Sequence, residues 1–213
     1  LTENEQFHLK IKNGDVGRYA ILPGDPGRVP LIAKYLDNAE FVASNREYTT
    51  YTGYLLGEKV SVVSTGIGGP SAAFAVEELI RSGTDTFIRI GTSGGMDISV
   101  SGGDLVVAQA SIRSEGTSHE YIPENYPAVA DFEVTAALKA AGDALSEDVD
   151  GKRCHVGEVH SKDSFYGEIE PLQMPVGDKL SGSWAAYVKC GCLTSEMESA
   201  AIFSVALARR KRA

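Results

Sequence analysis

Short apolar runs separated by glycine, proline and polar residues recur along the chain. Each run spans four to six residues and is rich in β-branched, aromatic or other apolar side chains, a pattern typical of buried strands. The runs lie at residues 19–22, 60–63, 87–90, 105–108 and 154–159. The hydrophobic pattern therefore predicts five buried strands.

Helical periodicity occurs between these runs. The clearest segment is 71–81, where Pro70 suits the first helical turn and Gly83 suits the C-terminal stop. A second helix is predicted over 134–145, and a third is predicted to begin near Met197. Strands that alternate with helices predict an α/β fold in which helices flank a central mixed sheet.

The chain is long enough for a full core. It has 213 residues, 43% of them hydrophobic, and no stretch resembles a linker long enough to separate two domains. We therefore predict a single domain over residues 1–213. Residues 115–131 are rich in proline, glycine and polar residues, and they are predicted to form a long surface loop.

Bulk charge and hydropathy exclude two classes of partner. The formal net charge of −9 opposes binding to nucleic acid or to an anionic membrane surface. No apolar run reaches the length of a membrane span and no signal-like segment follows Leu1, so we expect a soluble, cytoplasmic protein. The cations at 209–212 follow a helical pattern and oppose the negative end of its dipole. We expect the natural chain to continue beyond them.

The three cysteines do not indicate a metal site. Cys190 and Cys192 flank a single glycine, and no second Cys/His pair stands at a zinc-like spacing. We expect reduced thiols.

The first candidate site follows the first predicted strand. Residues 22–28 contain a glycine-bearing turn whose backbone N–H groups suit an anion, while Arg28 supplies charge, although any tight turn has a similar composition. Arg89 stands inside an apolar strand ahead of the glycine turn at 91–95, and a buried guanidinium needs an anionic partner. That partner is either a carboxylate such as Asp25 or a bound phosphate.

Two further segments carry candidate polar groups. Arg46 and Glu47 precede a threonine-rich stretch, and residues 65–71 form a glycine run between a strand and a helix. Glycines at such a turn let the backbone approach a ligand or a neighbouring chain closely. An ordinary strand-to-helix turn has the same composition, so both interpretations stay open.

Two acids flank Met197 where the last apolar helix begins. Carboxylates favour a helix N-terminus, so Glu196 and Glu198 are candidate capping residues. Alternatively, one carboxylate accepts hydrogen bonds from a pair of sugar hydroxyls while Met197 packs on the ribose face. Capping explains either acid more easily than both.

Taken in this order, the motifs resemble one family. The sequence is similar to the nucleoside phosphorylase/uridine phosphorylase superfamily, and most similar to its uridine phosphorylases, from Phe7 to the end of the chain. The matching segments are the glycine turn with Arg28, the pair Arg46 and Glu47, and residues 65–71, 89–94, 128–133, 164–166 and 196–198. The resemblance implies a three-layer α/β sandwich with a central mixed β-sheet flanked by helices.

The resemblance also implies a role for individual residues. The implied phosphate ligands are Gly24, Arg28, Arg89 and Thr92, with Arg46 reaching across a dimer interface. The implied ribose ligands are His8, also from the partner subunit, together with Glu196, Met197 and Glu198. The implied base contacts are Ser93, Gly94 and Phe165, and Gln173 is a further candidate. The implied catalytic residues are Arg89, Thr92 and Glu198.

The implied reaction needs inorganic phosphate as co-substrate and no cofactor. A phosphate oxygen attacks the anomeric carbon as the bond to the base breaks, so uridine yields uracil and ribose 1-phosphate. The implied assembly is a homo-oligomer built from dimers. In some family members a potassium or calcium ion lies at the dimer interface, and the matching ligands here are Glu47, Ile67 and Ser71.

The base-binding segment departs from the uridine phosphorylase pattern. The glutamine and arginine that normally follow the Phe-Tyr pair are not at the expected spacing within 167–174, although Gln173 is close by. A purine nucleoside phosphorylase, a hydrolytic nucleosidase and a nucleoside-binding protein without activity are the alternatives. Three arginines favour phosphorolysis over hydrolysis, and uridine is the expected nucleoside.

Overall fold

The computed structural model describes residues 5–148 and 151–213, with the side chains of 147 and 148 excepted. The strands are β1 (Tyr19–Pro23), β2 (Asp37–Asn45), β3 (Tyr48–Leu55), β4 (Glu58–Val63), β5 (Thr86–Ile90), β6 (Gly94–Gly95), β7 (Leu105–Ser114), β8 (Ala128–Val129), β9 (Cys154–Lys162) and β10 (Thr194–Glu196). The α-helices are α1 (Val29–Ala33), α2 (Gly69–Arg81), α3 (Phe132–Asp148), α4 (Phe165–Ile169), α5 (Gly177–Lys189) and α6 (Ser199–Ala208). Short 3-10 helices cover Pro26–Arg28, Thr117–Glu120 and Pro171–Gln173.

The described residues fall into two compact units. The first runs to Gly91 and includes Ala201–Ala213, and the second comprises Thr92–Ala200. The first unit contains a sheet in the order β2-β3-β4-β1-β5, where β1 is parallel to β4 and β5 while β3 is antiparallel to both its neighbours. The second contains a sheet in the order β6-β10-β9-β7-β8, with three parallel strands between antiparallel edges. The single-domain expectation stays a prediction.

The predicted α/β class is confirmed, because both sheets are mixed and helices alternate with strands. All five predicted strands form, as β1, β4, β5, β7 and β9, and the three predicted helices correspond to α2, α3 and α6. The prediction that each strand is buried is wrong for residues 105–108 of β7, which are half-buried or exposed. Gly83 ends α2 with φ of +109°, a value that favours glycine. None of the described helices is long and apolar enough to cross a membrane.

The hairpin formed by β2 and β3 has no counterpart among the predicted elements. Its inward positions include Thr50 and Thr52, which are 0% and 8% exposed, so polar residues occupy part of the buried face. Thr52 Oγ1 lies 2.7 Å from Ser61 Oγ on β4, which provides one of these hydroxyls with a partner. A hydrophobicity pattern does not reveal a strand whose buried face is threonine-rich.

Residues 115–131 are not the plain surface loop that their composition predicts. The segment contains a 3-10 helix, and β8 pairs with β7. Glu115 and Ser118 are buried, and the Glu115 carboxylate accepts a hydrogen bond from the Ser118 backbone at 2.9 Å. Arg113 donates to the carbonyl oxygens of Pro123 and Glu124 at 2.7 and 3.0 Å. The Arg113 guanidinium thus provides hydrogen-bond donors to backbone carbonyl groups that lie outside the β-sheet.

The basic residues that follow α6 are engaged within the first unit. Arg209 Nε donates to Glu77 Oε1 at 2.9 Å, and Arg212 Nη2 donates to Thr86 Oγ1 at 2.8 Å. These contacts give two of the four cations a structural role.

The cysteines are free thiols, as predicted: Cys154, Cys190 and Cys192. Burial raises the pKa of Cys192 to about 11, so this thiol stays protonated and unreactive at neutral pH.

The starts of β7 and β9 are joined through the Asp104 carboxylate. Its Oδ2 accepts from the Ser101 backbone at 2.9 Å and lies 3.0 Å from His155 Nε2. Its Oδ1 accepts from the Arg153 backbone at 3.2 Å. These hydrogen bonds, with the one from Ser101 the largest, lower the pKa of Asp104 to about 2.

Acid is expected to weaken this junction. The unfolded chain has a normal aspartate pKa of about 4, so the stabilisation by Asp104 is present above about pH 4 and is lost as pH falls towards 2. The difference in urea midpoint between the wild type and Asp104→Asn should therefore be largest near pH 6 and shrink progressively below pH 4. A difference that is independent of pH over this range would contradict the account.

Candidate active site

The turn after β1 places Gly24 next to the guanidinium of Arg89. Asp25 caps the following 3-10 helix by accepting from Gly27 N at 2.8 Å. A Cβ added at Gly24 would lie 3.3 Å from Arg89 Nη2 and 3.3 Å from the Gly66 carbonyl oxygen. A larger residue at this position would crowd the guanidinium.

Arg28 and Arg89 converge on one carbonyl. The Nη1 atoms of both residues donate to the Ile90 carbonyl oxygen at 3.3 Å, and Arg89 Nη1 also donates to the Leu22 carbonyl oxygen at 3.0 Å. The structure therefore brings two of the predicted phosphate ligands together at the ends of β1 and β5. Two cations with fixed donors at one point form a suitable anion site.

Arg46 and Glu47 form the two-residue connection between β2 and β3. Arg46 has φ of +55° and an exposed side chain, so its guanidinium lies on the surface of the unit. Glu47 Oε1 accepts from Ser71 Oγ at 2.9 Å. A backbone hydrogen bond within Glu47 lowers the pKa of this carboxyl, assisted by Ser71 and by the charge of Arg46.

The structure thus brings together two of the three predicted cation ligands. Gly66 makes their contact possible, because a Cβ there would lie 2.7 Å from Glu47 Cγ and 2.8 Å from Ser71 Oγ. Ile67 lies in the same turn with its side chain 79% exposed. The interface cation stays a prediction.

His8 is held by a buried acid that the sequence analysis did not identify. Its Nδ1 lies 2.7 Å from Glu78 Oε1, and its ring stacks on Phe74 with centroids 4.2 Å apart. The same carboxylate accepts from the backbone N–H groups of His8 and Leu9 at 3.0 and 2.8 Å. Glu78 therefore orients the imidazole of His8 through its Nδ1 atom. The sequence signal that could have identified Glu78 is its position as a carboxylate within the apolar pattern of α2.

In the second unit, polar side chains gather at the carboxyl ends of three parallel strands. β7 ends at Ser114, β9 at Lys162 and β10 at Glu196, and the register pairs Ser114 with Lys162. Thr92, Ser93 and Gly94 are exposed at the start of this unit. Ligands of open α/β sheets bind at the carboxyl ends of strands. This edge is therefore the candidate nucleoside site of the unit.

The two acids beside Met197 have different surroundings. Glu196 Oε2 accepts from the backbone N–H groups of Glu198 and Ser199, both at 2.8 Å, and Glu196 Oε1 accepts from the Ser199 and Ser161 hydroxyls. Glu196 is therefore the capping residue at the start of α6. Glu198 is buried and Met197 half-buried. Capping explains only one acid, and the predicted ribose contacts of all three residues stay predictions.

The predicted base contacts on and after α4 are accessible. Phe165 is 50% exposed and packs edge-on against Tyr166, with ring centroids 5.5 Å apart. Ser164 caps the helix by accepting from Gly167 N at 2.9 Å. Gln173 is exposed at the end of the following 3-10 helix. A free aromatic face is what stacking on a base requires.

No cluster of three or more histidine, cysteine, aspartate or glutamate side chains suited to a metal ion occurs in the described part of the chain. In the first unit the candidate site contains guanidiniums, and in the second unit it contains hydroxyls, carboxylates and an aromatic ring.

Comparison with known proteins adds the family context. The sequence matches the model of the Phosphorylase superfamily over residues 18–213. The uridine phosphorylase of Treponema pallidum is 51% identical over 97% of this chain and 78% of its own length. The uridine phosphorylase of Thermococcus kodakarensis is 51% identical over 77% of this chain and 57% of its own length. The guanosine phosphorylase of Halorubrum lacusprofundi is 42% identical over 97% of this chain and 78% of its own length.

Proposed function

Because the chain belongs to the phosphorylase superfamily, we propose that it is a uridine phosphorylase that converts uridine and phosphate reversibly to uracil and ribose 1-phosphate. The observation that carries this proposal is the convergence of Arg28 and Arg89 on the Ile90 carbonyl oxygen, beside Gly24. Phosphate is the co-substrate of phosphorolysis, and a net charge of −9 makes a local cationic site necessary for its capture.

Phosphate binding is assigned to the guanidiniums of Arg28 and Arg89. Both are held by backbone carbonyls, so their donors are fixed before the anion arrives. The family resemblance assigns Thr92 to the same phosphate. Arg46, exposed on its hairpin, is assigned to the phosphate of a neighbouring subunit, which makes the active unit at least a dimer.

The chemistry needs no protein nucleophile. A phosphate oxygen attacks the anomeric carbon, the bond from that carbon to the base nitrogen breaks, and the bonding electron pair leaves with the base. The transition state has oxocarbenium character at the sugar, so a positioned phosphate dianion and a nearby carboxylate stabilise it. The departing base takes up one proton and the phosphate gives up one in becoming the ester, so the reaction balances.

Ribose binding is assigned to Glu198 and Met197, with His8 of a neighbouring subunit at the 5′-hydroxyl. A buried carboxylate can accept hydrogen bonds from the 2′- and 3′-hydroxyls, and a thioether packs on the apolar face of the sugar. The contact between Glu78 and His8 Nδ1 leaves Nε2 for the sugar. The proposal also includes a dimer-based assembly, a cytoplasmic location and a role in pyrimidine salvage. A potassium or calcium ion is proposed at Glu47, Ile67 and Ser71.

A purine nucleoside is the second candidate substrate. The guanosine phosphorylase similarity favours it, as does the absence of the usual glutamine and arginine after Tyr166. Neither feature changes the phosphate chemistry assigned above.

A base-release assay tests the proposal. Uridine, inosine and methylthioadenosine are incubated with the protein with and without phosphate, and free base is followed. We expect release of uracil that requires phosphate. Release without phosphate would indicate a nucleosidase, whereas the absence of release from every nucleoside would indicate a binding protein.

A further inference from the structure

Four polar side chains of the second unit lie close together: His160, Lys162, Glu168 and Ser195. Lys162 is 8% exposed, and its Nζ lies 2.9 Å from Glu168 Oε2 and 2.7 Å from Ser195 Oγ. Ser195 Oγ also donates to Glu168 Oε2. His160 Nδ1 lies 3.3 Å from Ser195 Oγ, on the other side of the hydroxyl. The mechanism proposed above uses none of these groups.

The ion pair retains hydrogen-bonding capacity. Every hydrogen bond and ion pair that the described residues make with Glu168 goes to Oε2, which leaves Oε1 as an acceptor. The ammonium of Lys162 has three donors, and the described residues use two of them. The pair therefore retains one acceptor atom, Glu168 Oε1, and one N–H donor of Lys162 for a ligand.

These groups adjoin the residues assigned to the base. Ser195 lies opposite Gly94 in the pairing of β10 with β6. Glu168 follows Phe165 by three residues on α4, so the carboxylate and the aromatic ring belong to the same turn of helix. All of these residues belong to the second unit. A base stacked on Phe165 would have its polar edge within reach of this pair.

We propose that Glu168 and Lys162 read the polar edge of the base and restrict the enzyme to bases with an N–H beside a carbonyl. This inference rests on the proposed function. Glu168 Oε1 accepts from the ring N–H, and Lys162 Nζ donates to the neighbouring carbonyl oxygen. Uracil presents this edge through N3–H and O4, and hypoxanthine and guanine present it through N1–H and O6.

The same pair rejects amino bases. Cytosine presents N3 as an acceptor and a 4-amino group as a donor, and adenine presents N1 and a 6-amino group in the same way. The carboxylate would then face a lone pair and the ammonium would face an amino group. A site built to hydrogen-bond one pattern rejects its inverse strongly, because buried polar groups are left without partners.

Glu168→Gln tests the inference, because the substitution replaces one carboxylate acceptor by an NH₂ donor and leaves the side-chain volume almost unchanged. The Lys162 ammonium and the Ser195 hydroxyl both donate towards the Oε2 position, so they hold the amide oxygen there. The amide NH₂ then occupies the Oε1 position and faces the base as a donor. We expect the ratio of kcat/KM for uridine over cytidine, and for inosine over adenosine, to fall about 100-fold.

Glu170→Gln is the matched control, since Glu170 is an exposed acid two residues further along the chain and should leave both ratios unchanged. Ratios measured on one preparation are independent of its folded fraction. Should Glu168→Gln fail to fold, Lys162→Met provides the second variant, with the same expected loss of preference.

Titration calorimetry with the same four nucleosides separates this inference from the proposed function. If no nucleoside is cleaved with phosphate but Glu168→Gln still shifts the binding preference, the phosphorylase proposal fails and the base-reading role stands. If cleavage requires phosphate and Glu168→Gln lowers kcat/KM equally for oxo and amino nucleosides, the base-reading role is overturned and the ion pair only supports α4.

Discussion

Replacing Arg89 with methionine is expected to lower kcat/KM for phosphate about 1,000-fold while the protein remains folded. Arg89 is held by the Leu22 and Ile90 carbonyl oxygens beside Gly24, so its guanidinium donors are fixed near the candidate phosphate position. Removal of one preorganised oxyanion donor in an enclosed site costs 100-fold to 1,000-fold, and loss of the charge places this change at the upper end. Methionine retains most of the side-chain length and therefore most of the packing.

Arg81→Met is the control for this experiment. Arg81 is an exposed cation at the end of α2, and its replacement changes the net charge equally. Initial rates at several phosphate concentrations, together with thermal unfolding of both variants, give the comparison. Arg89→Met kinetics close to those of Arg81→Met would remove Arg89 from the phosphate site.

Replacing Glu198 with alanine is expected to harm ribonucleosides more than 2′-deoxynucleosides. A carboxylate that accepts from the 2′- and 3′-hydroxyls loses two charge-assisted hydrogen bonds with uridine and one with 2′-deoxyuridine. At about 2 kcal/mol for each bond, kcat/KM should fall about 1,000-fold for uridine and about 30-fold for 2′-deoxyuridine.

The comparison of the two substrates within one variant is the control, because a general loss of structure lowers both rates equally. Equal losses on uridine and 2′-deoxyuridine would contradict the hydroxyl contact. The Glu196 carboxylate is occupied by the backbone N–H groups of Glu198 and Ser199 and by the Ser199 hydroxyl.

The fold was predictable where apolar residues coincide with buried positions. The strands β1 and β4 and the helix α2 satisfy that condition, with Pro70 and Gly83 marking the helix ends. The β2–β3 hairpin does not, because Thr50 and Thr52 fill buried positions. Residues 115–131 do not either, because Arg113 organises their backbone through carbonyl contacts that composition does not encode.

The sequence identified many of the candidate site residues, but it did not predict which groups each of them contacts. Sequence motifs identified Arg28 and Arg89, but their shared contact with the Ile90 carbonyl oxygen depends on how the ends of β1 and β5 are aligned. Glu78 was missed because its partner, His8, is 70 residues away.

The ion pair between Lys162 and Glu168 was missed for a different reason. Lys162 and Glu168 are only a few residues apart, yet their contact depends on the path of the chain between the end of β9 and α4, which the spacing does not encode. The family pattern has a glutamine and an arginine after the Phe-Tyr pair, whereas this structure presents a carboxylate and an ammonium.

Phosphorus NMR of one reaction tests the central claim most directly. Uridine and inorganic phosphate are mixed with the protein, and the phosphate signals are followed while uracil is measured in parallel. The account predicts that ribose 1-phosphate appears in a one-to-one ratio with uracil as inorganic phosphate declines. Release of uracil with free ribose and an unchanged phosphate signal would contradict it.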